Sequence, residues 1–150
     1  MRKKFWTEQG LSGWALTDLP LSSIIEATTC ETGRRGILAT YMSGAAARQF
    51  AAINENEQIN QTLEQSEKIF PGIRANFERG RSFSWDSGPW AGGAAPWMKP
   101  GQMTSLLPHI ARPEGRIHFA GDHTSPWMRW MQGALESGLR AAHEVHEGSL

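Results

Sequence analysis

Gly121, Asp122, His123, Thr124 and Ser125 follow a short apolar run made by Ile117, Phe119 and Ala120. The run predicts a strand, and Gly121 predicts a sharp turn at its end, where the missing Cβ lets the backbone bend and a ligand come close. A carboxylate just past a strand's C-terminal end stands where open α/β sheets bind their ligands. A helix is expected to open around Gln132, because Ala134, Leu135, Gly138, Leu139, Ala142 and Val145 fall on one helical face. Its first-turn amides lack intrahelical partners and carry partial positive charge, which suits an electron-rich ligand group.

The strand ending Phe119-Ala120-Gly121, the acidic Asp122, the loop, the aromatic Trp130 and the helix after it resemble the C-terminal flavin-binding segment of the flavin-dependent amine oxidases. That family holds the monoamine oxidases and the L-amino-acid oxidases. The resemblance reaches upstream through Phe5-Trp6, Gly10-Leu11-Ser12-Gly13, Thr17-Asp18-Leu19-Pro20, Gly88-Pro89-Trp90 and Pro100-Gly101-Gln102-Met103. It implies that Gly121 and Asp122 touch the ribityl-pyrophosphate part of FAD. Asp122 stands where Glu is commoner, one methylene shorter. It also implies that the backbone of Met131, Gln132, Gly133 and Ala134 approaches the N1 and C2-carbonyl edge of the flavin ring. Amide dipoles there stabilise negative charge on a reduced ring. A tight turn with a solvated Asp122, and an ordinary packed helix start, are the plain alternatives.

By the same resemblance Trp130 forms one wall of the substrate pocket. The opposite wall falls within the Gly93 to Trp97 stretch, where Ala94 or Ala95 replaces the usual bulky group and Trp97 partly fills the space. The covalent monoamine oxidases use a cysteine in this region. Gly93 stands at the nearest matching position here, so FAD is expected to bind non-covalently. Arg129 departs from the small residue usual beside Trp130. Its guanidinium is expected either to block the pocket or to bind a carboxylate bidentately.

No Gly-x-Gly-x-x-Gly fingerprint occurs, and Lys3 and Lys4 match non-catalytic lysines of the family. The chain therefore resembles the C-terminal third of an oxidase, with an incomplete FAD site and a missing N-terminal FAD-binding part as its partner. No residue is assigned a catalytic role. The other histidines carry no site: His143 and His146, three apart, lack a third ligand nearby, and His118 reads as a satisfied buried side chain. Asp122, His123 and Ser125 crowd together without a nucleophile elbow.

Lys plus Arg number 15 against 15 Asp plus Glu, a formal net charge of zero. That balance argues against a nucleic-acid-binding face or a polybasic membrane anchor. No apolar run approaches the roughly 20 residues of a membrane helix. The basic N-terminus lacks the apolar core of a signal peptide, and the cytoplasm is the favoured compartment. The single cysteine, Cys30, is expected to be buried and inert. Most of the 7 tryptophans are expected to serve packing.

Along the chain, residues 1–8 are expected to finish a strand, with a turn at Gly10–Gly13 and a short strand through Trp14–Thr17. Residues 22–28 and 37–42 predict an antiparallel hairpin across a polar turn. Gly44–Ala52 predicts a short helix. A firmer helix is capped by Asn54, with Ile59, Leu63, Ile69 and Phe70 as its stripe and Pro71-Gly72 as its stop. Residues 81–86 predict a strand, and residues 87–101 an irregular segment. The fold class is α/β with α+β character: a mixed sheet from a substrate-binding domain (1–105), plus one strand and the last helix of an FAD-binding domain (106–150). Two functions follow. One is a flavin-dependent oxidase of a small-molecule amine or L-amino acid, inactive as an isolated chain. The other is a non-catalytic remnant or partner-binding module derived from such an oxidase.

Overall fold

A computed structural model describes residues 1–148. The chain forms two compact units, Met1–Gly92 and Gly93–Leu150. Among the described residues no helix is long and apolar enough to cross a membrane.

The first unit is built on a three-stranded antiparallel sheet of β1 (Ala15–Leu16), β2 (Ser23–Glu26) and β3 (Leu38–Tyr41), in that order. The register pairs Ile24 with Ala15 on one side and with Thr40 on the other. Ile24 and Glu26 alternate inward along β2, as a pleated strand with one covered face requires. The polar turn after β2 leaves Cys30 exposed, against the expectation of a buried thiol.

Residues at the N-terminus do not finish a strand. Phe5–Glu8 is a single helical turn, α1, and Phe5 and Trp6 are both buried. A strand with one covered face buries alternate residues, so two adjacent buried rings need a different backbone. Around them the core holds Leu21, Ile24, Leu63, Phe70 and Ile73.

The helices of this unit follow the sequence closely. α2 spans Gly44–Ala51 and α3 spans Glu55–Glu67. Asn54 caps α3, its side chain accepting the Glu57 N–H at 3.0 Å. Leu63 and Phe70 are buried, with Ile59 and Ile69 packed against the same core, but α3 ends at Glu67, so Ile69 and Phe70 reach that core from the turn beyond the helix and not from its stripe. Past the α3 stop, Gly72 takes φ 92°, and Glu67 accepts the N–H groups of Gly72 (2.7 Å) and Arg74 (3.1 Å). Those bonds start the one-turn helix α4 (Ile73–Asn76) and hold the Glu67 carboxyl below its ordinary range.

Residues 81–86 form no strand. Phe83 and Trp85 alternate as a strand would, but they pack on each other edge to face at 4.9 Å and lead into a 3-10 turn at Trp85–Ser87. No neighbouring strand among the described residues pairs with them, and alternation without a partner does not make a sheet.

The second unit contains α5 (Gln102–Ile110), a 3-10 turn at Asp122–Thr124 and α6 (Met131–Glu147). No pattern in the sequence pointed to α5, whose Pro108 lies inside the helix. Proline lacks the N–H a helix interior uses, so its presence hides the helix from a propensity argument. The apolar run before Gly121 is not a strand either. Ile117 makes only an isolated antiparallel bridge with Glu114, and His118–Ala120 pair with no strand among the described residues.

Six of the seven tryptophans are more than half exposed, and only Trp6 is fully buried. Among the described residues of the second unit the buried ones are Thr124, Ser125, Gly133 and Ser137, with no large apolar side chain among them. Packing is therefore not what most of these rings do inside this chain.

Candidate functional site

The turn at Gly121 is held against α6 by hydrogen bonds. Gly121 has φ 141°, which a residue with a Cβ rarely adopts, and its N–H donates to Ser137 Oγ at 2.8 Å. The Gly121 carbonyl in turn accepts the Thr124 N–H and the Thr124 hydroxyl, both at 2.9 Å. Asp122 reaches forward: its Oδ2 accepts the backbone N–H of Arg129 at 2.7 Å. Ser125 donates to Glu136 and accepts the Trp127 N–H.

These contacts choose the face of α6 that packs. Gly133, Ser137, Arg140, Ala141 and Glu144 are buried or half-buried, spaced at helical intervals. The apolar positions Ala134, Leu135, Gly138, Leu139, Ala142 and Val145 do share a face, but it is the exposed one. What lies under α6 is a backbone turn, not a layer of side chains. Small residues and hydrogen-bonding groups fit it better than Leu. Gly133 gives the closest approach, since a Cβ there would stand 2.3 Å from the Trp127 carbonyl oxygen.

Arg140 and Glu144 extend this clamp. The Arg140 guanidinium donates to the carbonyls of Ala111 (3.2 Å) and Phe119 (2.8 Å), to Thr124 Oγ1 (3.2 Å) and to Glu144 Oε1 (2.6 Å). The second Glu144 oxygen lies 3.0 Å from His118 Nδ1. His118 is half-buried and partnered, as expected of it. The clamp residues Ser137, Arg140 and Glu144 were not singled out from the sequence. The four-residue spacing of Arg140 and Glu144 was the available signal.

The His118 and Arg140 hydrogen bonds hold the Glu144 carboxyl below its ordinary value of 4.5. A carboxyl depressed in the fold stabilises the fold once ionised. That contribution is complete above the ordinary glutamate value and is lost as pH falls through the lower folded value. Protection of the 118–124 amides from hydrogen exchange should therefore drop on the acid side of pH 4.5, and Glu144→Gln should abolish that step. An identical acid profile in wild type and Glu144→Gln would remove Glu144 from the clamp. A local readout is needed because Glu67 is depressed too and adds acid sensitivity to the other unit.

At the start of α6, the Gly133 and Ala134 N–H groups both donate to the Trp130 carbonyl, at 3.0 and 3.3 Å. Met131 and Gln132 come before any helical carbonyl can reach them, so theirs are the open amides of this terminus. Trp130 itself is 66% exposed. Trp97 is exposed as well, and the Arg129 guanidinium carbon sits 4.6 Å over its ring. Ala95 is exposed. Asp122, Arg129 and Trp97 are thus linked in one chain of contacts beside Trp130. His143 and His146 are exposed, and no group of three metal-ligating side chains occurs among the described residues.

The fold matches a part of a known amine oxidase. It superposes on a solved putrescine oxidase, in a structure bound to putrescine, with a TM-score of 0.82 at 22% identity, over 97% of this chain and 33% of that one. Residues 1–146 match the family described as flavin containing amine oxidoreductase, and the chain belongs to that family. It is 39% identical over 149 residues to "Putative L-amino-acid oxidase YobN" of Bacillus subtilis (strain 168), covering 97% of this chain and 31% of that protein. An L-glutamate oxidase precursor of Streptomyces viridosporus is 52% identical over 67 residues, 45% of this chain and 10% of that protein. The chain spans about a third of the length of the full-coverage relatives, 31% of YobN and 33% of the putrescine oxidase.

Proposed function

We propose that this chain forms the substrate wall and the C-terminal flavin-contacting part of a flavin-dependent amine oxidase. The reaction is oxidative deamination of an amine or L-amino acid with release of hydrogen peroxide. Residues 1–105 belong to the substrate-binding domain and residues 106–150 to the FAD-binding domain. FAD binds non-covalently, at a site this chain does not complete, so the isolated chain is inactive.

The observation that carries this reading is the Gly121–Asp122 turn, clamped to the buried face of α6 beside the open helix terminus and the exposed Trp130. Those groups fit a flavin. The open Met131 and Gln132 amides suit an electron-rich ring edge, with Ala134 on the same turn. Gly121 and Asp122 bring backbone close to the ribityl-pyrophosphate part. A bound flavin supplies the redox chemistry, as a hydride acceptor that oxygen recharges with release of peroxide. The protein positions the amine: Trp130 offers a flat apolar wall, and Ala95 and Trp97 lie on the segment proposed to face it.

The test joins the chain to the N-terminal flavin-binding part of a relative and follows peroxide release from amines and amino acids. Trp130→Ala should cost about 1–3 kcal/mol of transition-state stabilisation, the value of one large buried apolar contact. Unchanged rates with flavin still bound would make Trp130 a packing residue. The second reading, a partner-binding module without catalysis, is favoured by the exposed rings of the second unit. It predicts no peroxide from any joined protein that binds flavin.

A further inference from the structure

Arg129 is the one non-glycine residue of the second unit with positive φ among those described, at 70°. An L side chain is uncomfortable there, and glycine would sit without strain. Two contacts hold it in place. Its backbone N–H donates to Asp122 Oδ2 at 2.7 Å, and its guanidinium lies over the Trp97 ring at 4.6 Å. Asp122 is engaged through the backbone, and the Arg129 guanidinium makes no ion pair among the described residues.

The Trp97 contact is made by the charge of the guanidinium, and no ion pair among the described residues takes up its carboxylate-pairing capacity. Its N–H donors lie in the guanidinium plane, in a fork that matches the two oxygens of a carboxylate. An arginine held over a ring has also lost rotamer freedom before any ligand arrives, which lowers the cost of binding. The neighbouring residue in the chain is the exposed Trp130.

We propose that Arg129, oriented by Trp97 and anchored through Asp122, is a carboxylate-binding residue that selects amino acids over simple amines. This rests on the oxidase reading for its biological substrate, but the contact itself is testable without catalysis. A guanidinium that merely blocked the pocket would attract anions weakly and without saturation, and would form no specific site.

The probes are L-leucine and isoamylamine, which differ by the carboxylate alone. Each is titrated into the chain at constant ionic strength, and the side-chain N–H signals of Arg129 and Trp97 are followed by nuclear magnetic resonance. L-leucine should shift both saturably, and isoamylamine should not. Arg129→Lys should weaken the response by losing the fork. Arg129→Gly should weaken binding of L-leucine by on the order of tenfold, as expected for loss of a charge-assisted pair. Glycine suits a φ of 70°, so this variant should melt no lower than wild type, which separates lost binding from lost fold. Equal responses to both probes, or a Trp97 response to L-leucine unchanged in Arg129→Gly, would overturn the proposal. Either result leaves the oxidase reading to the peroxide assay, whose outcome does not depend on carboxylate selection.

Discussion

Trp6→Ala should destabilise the first unit by about 3–5 kcal/mol, the range for removing a large aromatic side chain from a packed interior. Trp6 is fully buried, and three kinds of contact converge on it. Phe5 meets it edge to face at 5.3 Å. Its Nε1–H donates to Glu26 Oε2 at 2.8 Å. Two glycine backbones flank the ring so closely that an added Cβ would stand 2.5 Å from it at Gly36 and 2.9 Å from it at Gly13. Truncation opens a cavity between rigid backbones, which cannot collapse as side chains would. It also takes a donor from Glu26, a buried carboxylate otherwise served by Thr28 and, at 3.9 Å, by Lys4. Trp6→Phe isolates the second effect: it fills most of the space and should cost about 1–3 kcal/mol for the orphaned acceptor. Urea unfolding followed by circular dichroism measures both. A Trp6→Ala midpoint equal to that of wild type would mean that Trp6 does not hold the unit together.

Gly133→Ala and Gly138→Ala should move stability in opposite directions, although both exchange glycine for alanine inside α6. Helix propensity alone favours alanine at each by about 1 kcal/mol. At Gly138 nothing lies within 4 Å of an added Cβ, so that gain should appear undiminished. At Gly133 the Cβ would meet the Trp127 carbonyl oxygen at 2.3 Å and its carbon at 2.9 Å. These are backbone atoms, and the loop that carries them is fixed. Ser125 is bonded to Glu136, the Trp127 N–H to Ser125 and the Arg129 N–H to Asp122. Relief requires moving the loop or the helix start, at a cost of about 1–3 kcal/mol or more for overpacking. The shift should also displace Trp130 and the open Met131 and Gln132 amides, so flavin binding in a joined enzyme should fall together with stability. Melting of both variants decides it. Two variants shifted upward alike would show that α6 and its loop are not in contact.

Local elements of the first unit were legible because their signals are local. Asn54 with its acceptor oxygen and the apolar positions Ile59 and Leu63 place α3 without reference to anything distant, although the helix ends at Glu67, short of the expected stop at Pro71-Gly72. The hairpin of β2 and β3 follows in the same way from two apolar runs and a polar turn. The Gly121–Asp122 turn, the aromatic before the last helix and the family they imply were also carried by residue order alone.

What only the tertiary structure decided is which surfaces meet. Ile117 to Ala120 look like a strand, but a strand exists only through the neighbour it pairs with, and none among the described residues does so. Phe5 and Trp6 became a helical turn because two adjacent rings had to enter one core. The apolar face of α6 is outward, and the face bearing Gly133, Ser137, Arg140 and Glu144 is inward, because the surface beneath the helix is a hydrogen-bonding turn. Periodicity fixes which residues share a face. It carries no information about what that face will find, and that depends on backbone groups brought together from far along the chain.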